Sequence, residues 1–374
     1  MHDYVVVGAG LSGATIARAV RDAGRSVLVL DRRSHLAGNV HDQRHASGIV
    51  IHTYGPHYFR TADDALWRYV QRFARLRRYE PVLKSWVDGC HEGWPVSAGY
   101  IRRSVGADWQ PAFTGPPANF EEAALARMPR IVYEKFVKGY TEKQWGCPAT
   151  ALSARLAGRI DVHADDEPRL SRHRHQGLPV DGYTRMVQAM LEGIEVRLGV
   201  DYLRRRGDFR PRTALVFTGP IDEFFGFDLG RLAYRGQRRR HEYHPDADFL
   251  LPCGQVNNPG RDAGAHIRTL EWKHMMDPAA AARVRGTVLT QETPFTPDDP
   301  GQYEYPFPDR ANADLYSRYR ERADRLEGVL VCGRLGEYCY YDMDQAIARA
   351  QVLAAQLLQA EARPGGAMPG GAAT

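Results

Sequence analysis

No stretch of the chain approaches the roughly 20 consecutive apolar residues that a membrane-spanning helix requires, so no membrane partner is expected. Cysteine is scarce: five residues, an odd number without paired metal-ligand spacing, argue against a disulfide framework and against a metal site. The opening MHDYVVVGAG lacks the basic and long apolar regions of a secretory leader, and with free thiols it points to the cytoplasm. Charge of one sign is also missing, since 50 Lys and Arg face 45 Asp and Glu for a formal net charge of +5. The arginine triplets 204–206 and 238–240 are expected on solvated faces, and no aromatic-interleaved basic motif accompanies them, so no nucleic acid is expected. Neither the middle region nor residues 225–310 repeat, which excludes a solenoid.

What is present is an ordinary globular composition over 374 residues, 43% hydrophobic and 25% charged, with room for two or three sub-domains. The N-terminus opens as strand, glycine turn, helix and strand. Tyr4–Val7 is an apolar run, Gly8-Ala9-Gly10-Leu11-Ser12-Gly13 follows, residues 14–23 have helical composition, and 26–30 are apolar again, ending in Asp31. In such a fingerprint Gly8 makes the tight turn, Gly10 and Ser12 let backbone approach a pyrophosphate, and Gly13 lets helix and strand pack closely. The helix N-terminus stabilises the phosphate charge, and Asp31 is placed to accept from ribose hydroxyls. Asp63 and Asp64 read as caps of the helix that follows.

Two later runs look like a return to this domain. Ala214–Phe217 leads into Thr218-Gly219-Pro220, and 329–332 leads into Gly333-Arg334 and a helix from about 344 to 361. The fold class expected is therefore α/β with a discontinuous dinucleotide-binding domain, which the resemblances given below extend to a discontinuous Rossmann-like FAD-binding domain with an inserted helical domain and an antiparallel β-sheet domain. The expected boundaries are 1–80, 184–225 and 325–362 for the FAD-binding domain. Residues 95–183 form the helical domain with a mobile loop, 226–324 the sheet domain with strands from about 81–94, and 363–374 a disordered tail.

The continuation Asp31-Arg32-Arg33-Ser34-His35-Leu36-Ala37-Gly38-Asn39 resembles flavoproteins of the glutathione-reductase type, with Ala37 in place of the first glycine of a pair. That resemblance favours FAD over NAD. The run FVKGYTEKQWG at 136–146 sets three rings among charges, and on spacing alone those rings fit a core better than a nucleobase site.

Seven segments together resemble the UDP-galactopyranose mutase family: VVGAGLSG, YGPHYFRT (54–61), KGYTEKQWG (138–146), QGLPVDGYT (176–184), FTGPID (217–222), IRTLEWKH (267–274) and CGRLGEYCYYDM (332–343). The resemblance implies an intramolecular transferase or isomerase that interconverts hexopyranose and hexofuranose forms of a nucleotide sugar. The reaction is non-redox overall yet requires reduced FAD, whose N5 forms an adduct with the sugar. It further implies His57, Arg268, Tyr305 and Tyr340 as catalytic positions, with Arg268 on the diphosphate. Phe136, Tyr140, Thr141, Trp145, His163 and Asn257 would bind substrate, with Phe136 and Tyr140 on one helix face stacking against the base. Tyr54, Gly219, Gly333, Arg334, Tyr341, Asp342 and Met343 would join Gly8, Gly10, Ser12, Gly13, Asp31, Arg32, Gly38 and Asn39 around FAD. A homodimer acting on a nucleoside-diphosphate hexose is expected.

Departures from the family cluster near the ligand. The bacterial pattern has an arginine after Arg-Ile-Pro-Val, whereas this chain reads Arg159-Ile160-Asp161-Val162-His163. Leu170 stands where the family has a loop tyrosine, Pro81 where it has an asparagine, and Arg60 closes a motif that otherwise ends in histidine. Either His163, Arg169 or Arg60 replaces the missing charge, or the substrate differs, with a GDP-linked hexose as one guess. Two other classes remain open: a flavin oxidase or dehydrogenase with net redox turnover, and a nucleotide-sugar binding protein that has lost activity.

Overall fold

The computed structural model describes residues 1–160 and 165–361, and the expectations for His163 and for the 363–374 tail lie outside them. Its floor is a five-stranded parallel sheet in the order Glu195–Arg197, Val27–Leu30, Tyr4–Val7, Ala214–Phe217, Val329–Val331. A parallel sheet is covered on both faces, and the apolar runs of these strands follow from that. Val6, Val29, Val216 and Leu330 turn toward the helices Leu11–Asp22 and Met343–Glu361, packing with Ile16, Val20, Leu353 and Leu357. Val5, Leu28, Leu215 and Val331 turn the other way onto Phe224 and Tyr319.

A seven-stranded sheet stands over this floor in the order Tyr305–Pro306, Tyr234–His244, Thr287–Phe295, Arg268–Glu271, Gln255–Asn257, Leu83–Val87, Cys90–Trp94. Its pairings are antiparallel except that of Gln255–Asn257 with Leu83–Val87, which is parallel. A separate helical core gathers Phe120, Val132, Tyr133, Phe136, Val137 and Trp145. Asp63 caps its helix as expected, its carboxylate accepting from the N–H groups of Ala65 at 2.6 Å and Leu66 at 3.2 Å. No described helix is long and apolar enough to cross a membrane.

The expectation that residues 238–240 form a solvated face needs correction. They lie on a strand, where successive side chains point to opposite faces. Arg238 and Arg240 are exposed, but the Arg239 side chain is only 8% exposed and is paired inside.

Candidate active site

One cavity of about 600 Å³ runs from the carboxyl ends of the parallel strands to the underside of the seven-stranded sheet and the helical core. Open α/β sheets bind ligands at the carboxyl ends of their strands. Apart from Arg169, every described residue expected at a site lines this cavity, from Gly8 and Asp31 at one end to Phe136 and Arg268 at the other.

At the first end Gly8 has a φ of +110°, and a Cβ there would meet Thr218 Oγ1 at 2.0 Å. A Cβ on Gly13 would come within 1.9 Å of the Gly8 carbonyl, so strand and helix touch through bare backbone. The helix begins at Leu11 with Gly10 as a cap that offers no side chain, which leaves its first amides to a ligand. The Asp31 carboxylate accepts from the backbone N–H of Ala9 at 2.7 Å and of Arg33 at 2.8 Å, and so fastens the turn. Arg32 forks onto Glu223, whereas Arg33 donates to Asn39 Oδ1 at 2.9 Å and lies 4.4 Å from the centre of the Tyr54 ring. Ala37 holds the left-handed conformation with a φ of +74°, its N–H donating to the Ala9 carbonyl at 2.9 Å.

The return segment closes this end. Gly219, Gly333, Tyr341, Asp342 and Met343 line the wall. The Arg334 guanidinium lies 4.4 Å from the Tyr340 ring centre and 5.0 Å from that of Tyr305, the two rings stacking at 5.4 Å. Its Nε and Nη2 are buried and have no protein partner. A buried charged donor without an acceptor is costly unless a ligand supplies one.

At the far end Asn257 and Arg268 face each other across paired strands, beside Tyr305 on the sheet edge. Phe136 lies in a π-helical segment, Tyr133–Lys138, that passes into the α-helix Gly139–Trp145 carrying Tyr140, Thr141 and Trp145. The wider turn re-aims the rings relative to a regular helix, a feature common at functional sites. Phe136 and Trp145 are 2% and 6% exposed, so each serves the helical core while also lining the cavity. The Gln144 side chain and carbonyl accept from Gln237 at 2.7 Å and Arg235 at 2.8 Å, which bolts this helix to the sheet. Burial raises the Tyr140 phenol above its usual range even though Arg268 beside it acts the other way.

His57 Nδ1 donates to the Gly55 carbonyl at 2.7 Å, which makes Nε2 the lone-pair nitrogen. Burial, then His52 and Arg334, hold the ring well below the ordinary histidine range, so it is neutral at physiological pH. Its carbonyl accepts from Tyr183 Oη at 3.1 Å, which fixes the turn.

Of the three candidates for replacing the missing loop cation, Arg169 is committed to Glu80 at 2.9 Å and Glu167 at 2.7 Å, and does not line the cavity. Arg60 does line it, 3.4 Å from Asp342. Leu170 lines it too. Tyr58 and Gln255 border the cavity without having been expected, and Glu292, Arg239 and Glu304 stand behind Arg268. Among the described residues, no group of three or more His, Cys, Asp or Glu side chains is placed to hold a metal.

Comparison with known proteins places this geometry. Residues 135–340 match the family model for UDP-galactopyranose mutase, and residues 6–73 match a model for NAD(P)-binding Rossmann-like domains. The chain is 30% identical to a probable UDP-galactopyranose mutase of Klebsiella pneumoniae over 93% of its own length and 92% of that protein. It is 29% identical to the dTDP-fucopyranose mutase of Escherichia coli over 94% of this chain and 97% of that one. The crystal structure of a reduced UDP-galactopyranose mutase superposes with a TM-score of 0.72 at 14% identity, covering 96% of both chains. A putrescine oxidase structure follows at a TM-score of 0.61 and 13% identity, over 96% of this chain and 99% of that one, so both superpositions speak for the fold. The glycine turn and Arg268 line one cavity, and the chain belongs to the UDP-galactopyranose mutase family of nucleotide-sugar isomerases.

Proposed function

We propose that the chain interconverts the pyranose and furanose forms of a nucleoside-diphosphate hexose with FAD in the Gly8–Arg334 half of the cavity. The observation that carries this reading is the continuity of that cavity: the glycine turn and the Arg268 chamber open into each other without a wall between them. Residues of the first half fit the cofactor. Gly8, Gly10 and Gly13 leave bare backbone for a pyrophosphate, and the orphaned Arg334 nitrogens await an anion or carbonyl. When bound and reduced, the flavin supplies the nucleophile for the anomeric carbon.

The protein's share is placement and electrostatics. Arg268 offers a planar fork to the departing diphosphate, and the Tyr305 and Tyr340 hydroxyls add donors. Burial keeps the Tyr305 phenol protonated across the physiological range, so it can serve only as a donor or neutral acceptor there. His57 is neutral and offers Nε2 as an acceptor beside the flavin. Phe136, Tyr140 and Trp145 give the base and sugar flat apolar faces, with Thr141 and Asn257 as polar contacts. His163 stands at the sequence position where the family has an arginine, and the resemblance assigns it to substrate binding. Asp31 and Arg32 would hold the adenosine half, Asp31 with the lone pairs its backbone donors leave free.

Both relatives named for a substrate carry pyrimidine nucleotides, which favours UDP or dTDP over the GDP suggested by the departures alone. We also read the protein as a homodimer, and its free cysteines underlie our reading of it as cytoplasmic. The test is incubation of dithionite-reduced protein with UDP-, dTDP- and GDP-linked galactose and fucose, furanose products being resolved by chromatography. Furanose formed without stoichiometric consumption of reductant is the expected result. Reductant consumed mole for mole would point to an oxidase, and binding without product to a non-catalytic receptor.

A further inference from the structure

Three adjacent strands of the seven-stranded sheet set Arg239, Glu292 and Arg268 in one row. Glu292 is the register partner of both arginines. Its Oε1 accepts from Arg239 Nε at 2.8 Å and its Oε2 accepts from Arg268 Nε. Arg239 then closes a two-pronged pair on Glu304, with both contacts at 2.8 Å. The Glu292 side chain is fully buried, while those of Glu304 and Arg239 are 7% and 8% exposed and that of Arg268 14%. Two cations and two anions thus alternate through a dry row that ends at the cavity. Burial alone would push the Glu292 carboxyl up, but Arg268 and Arg239 together hold it below the usual range, so this carboxylate is ionised.

The row also touches the turn that carries His57. Gly55 has a φ of +92°, and a Cβ there would lie 2.8 Å from Glu292 Oε1, 3.2 Å from Arg239 Nη2 and 3.4 Å from Arg268 Nη2. The Gly55 carbonyl is the acceptor of His57 Nδ1. Backbone therefore rests directly on the carboxylate that grips Arg268.

We propose that Glu292 is a positioning residue for the isomerisation: by holding Arg268 through Nε and supporting Gly55, it presents the Arg268 terminal nitrogens and the His57 ring to one substrate in a fixed relation. The inference rests on the reading that Arg268 receives the diphosphate. An arginine free to rotate loses side-chain entropy when it engages the leaving group, whereas one held in advance needs no reorganisation in the transition state. Arg239 and Glu304 serve to keep Glu292 charged and still.

The experiment is a double-mutant cycle on Glu292→Gln and Arg268→Ala, read as single-turnover furanose formation by pre-reduced enzyme, with thermal midpoint measured alongside. Glutamine keeps the shape but cannot accept from both arginines. The expected result is at least a tenfold fall in rate for Glu292→Gln, with less than a threefold change in substrate affinity. In the Arg268→Ala background the same substitution should cost less than twofold. A Glu292→Gln variant that melts lower but turns over normally overturns the positioning role, as do losses that multiply independently. A near-wild-type Arg268→Ala overturns the diphosphate reading instead, and the present inference with it. If Glu292→Gln fails to fold, Arg239→Lys enters the same cycle, because it keeps the charge and loses the fork on Glu304. It should slow turnover at least threefold in the presence of Arg268 and less than twofold in its absence, and equal losses in both backgrounds overturn the proposal.

Discussion

Arg334 lies beside a stacked pair of aromatic rings, its guanidinium carbon 4.4 Å from the centre of Tyr340 and 5.0 Å from that of Tyr305, while Nε and Nη2 find no partner in the protein. The cation lines the same cavity as the glycine turn and Arg268. Arg334→Met keeps the stem and removes the donors. It should weaken FAD binding by about 1.5–3 kcal/mol, the worth of a charged hydrogen bond, or roughly tenfold to a hundredfold. Titration of apoprotein followed by flavin fluorescence measures this; unchanged affinity would leave Arg334 as a support for the two tyrosines.

Arg268→Ala should retain FAD and lose conversion by about 10²–10³, as when a preorganised donor is removed from a developing charge. Arg268→Lys should recover little of the loss, because an ammonium cannot reproduce a planar two-pronged contact. The folded state should tolerate the change, since Glu292 remains paired with Arg239. The rate is read in single turnover at saturating substrate, with the yellow colour as the control for cofactor retention.

Phe136 packs edge-to-face on Tyr100 at 4.9 Å and parallel to Trp94 at 6.5 Å, which complicates the obvious truncation. Phe136→Ala should destabilise the helical core by about 3–5 kcal/mol whatever the ring does for substrate. Phe136→Leu refills most of the space without a flat face. If stacking on the base is real, Phe136→Leu weakens nucleoside-diphosphate binding by about 1–3 kcal/mol at a small change in melting temperature. Calorimetric titration beside thermal melting separates the two effects.

Stability should fall as pH is lowered from neutrality toward 4. Burial holds His52 down to about 4 and His57 well below the ordinary 6.5, so both bind protons less readily folded than unfolded. Below pH 6.5 the unfolded chain therefore takes up more protons, and the stabilisation present above that pH is lost through the window down to the folded values. His52 alone would contribute about 3 kcal/mol across it. His52→Asn offers an acceptor in place of the Nδ1 that takes the His57 N–H at 3.1 Å, and removes the proton-binding group. Melting curves from pH 7.5 to 4.5 should be flatter for the variant.

The sequence disclosed this site unevenly, for a physical reason. The turn from Gly8 to Gly13 and the Asp63 cap are local patterns that local backbone preferences carry, whereas Arg268 and Trp145 were legible only through the family resemblance of the motifs around them. The buried row behind Arg268 joins residues 24 and 53 positions apart in the chain, and only strand pairing brings them together. Its trace in the sequence was alternation: Val288, Thr290 and Glu292 fall on the inward positions of one strand, so a carboxylate was pointed into the protein and needed a cation. Arg239 was hidden for the same reason, because a triplet of like charges reads as one solvated patch until the strand separates its faces. Likewise the fork of Arg32 on Glu223 spans 191 positions and has no local signature.

The order of strands in the parallel sheet sets a timetable for biosynthesis. The glycine turn follows Tyr4–Val7, the earliest of these five strands in chain order, yet that strand is flanked by Ala214–Phe217, which in turn is flanked by Val329–Val331, the latest of the five. Nascent chains arrested before residue 214 expose an unpaired apolar edge along Tyr4–Val7, and those arrested before residue 329 still lack Arg334. Long-range pairing of this kind folds slowly and leaves intermediates open to aggregation. Cofactor capture therefore belongs to the released chain, and the supply of flavin during expression should govern how much of the protein escapes into aggregates.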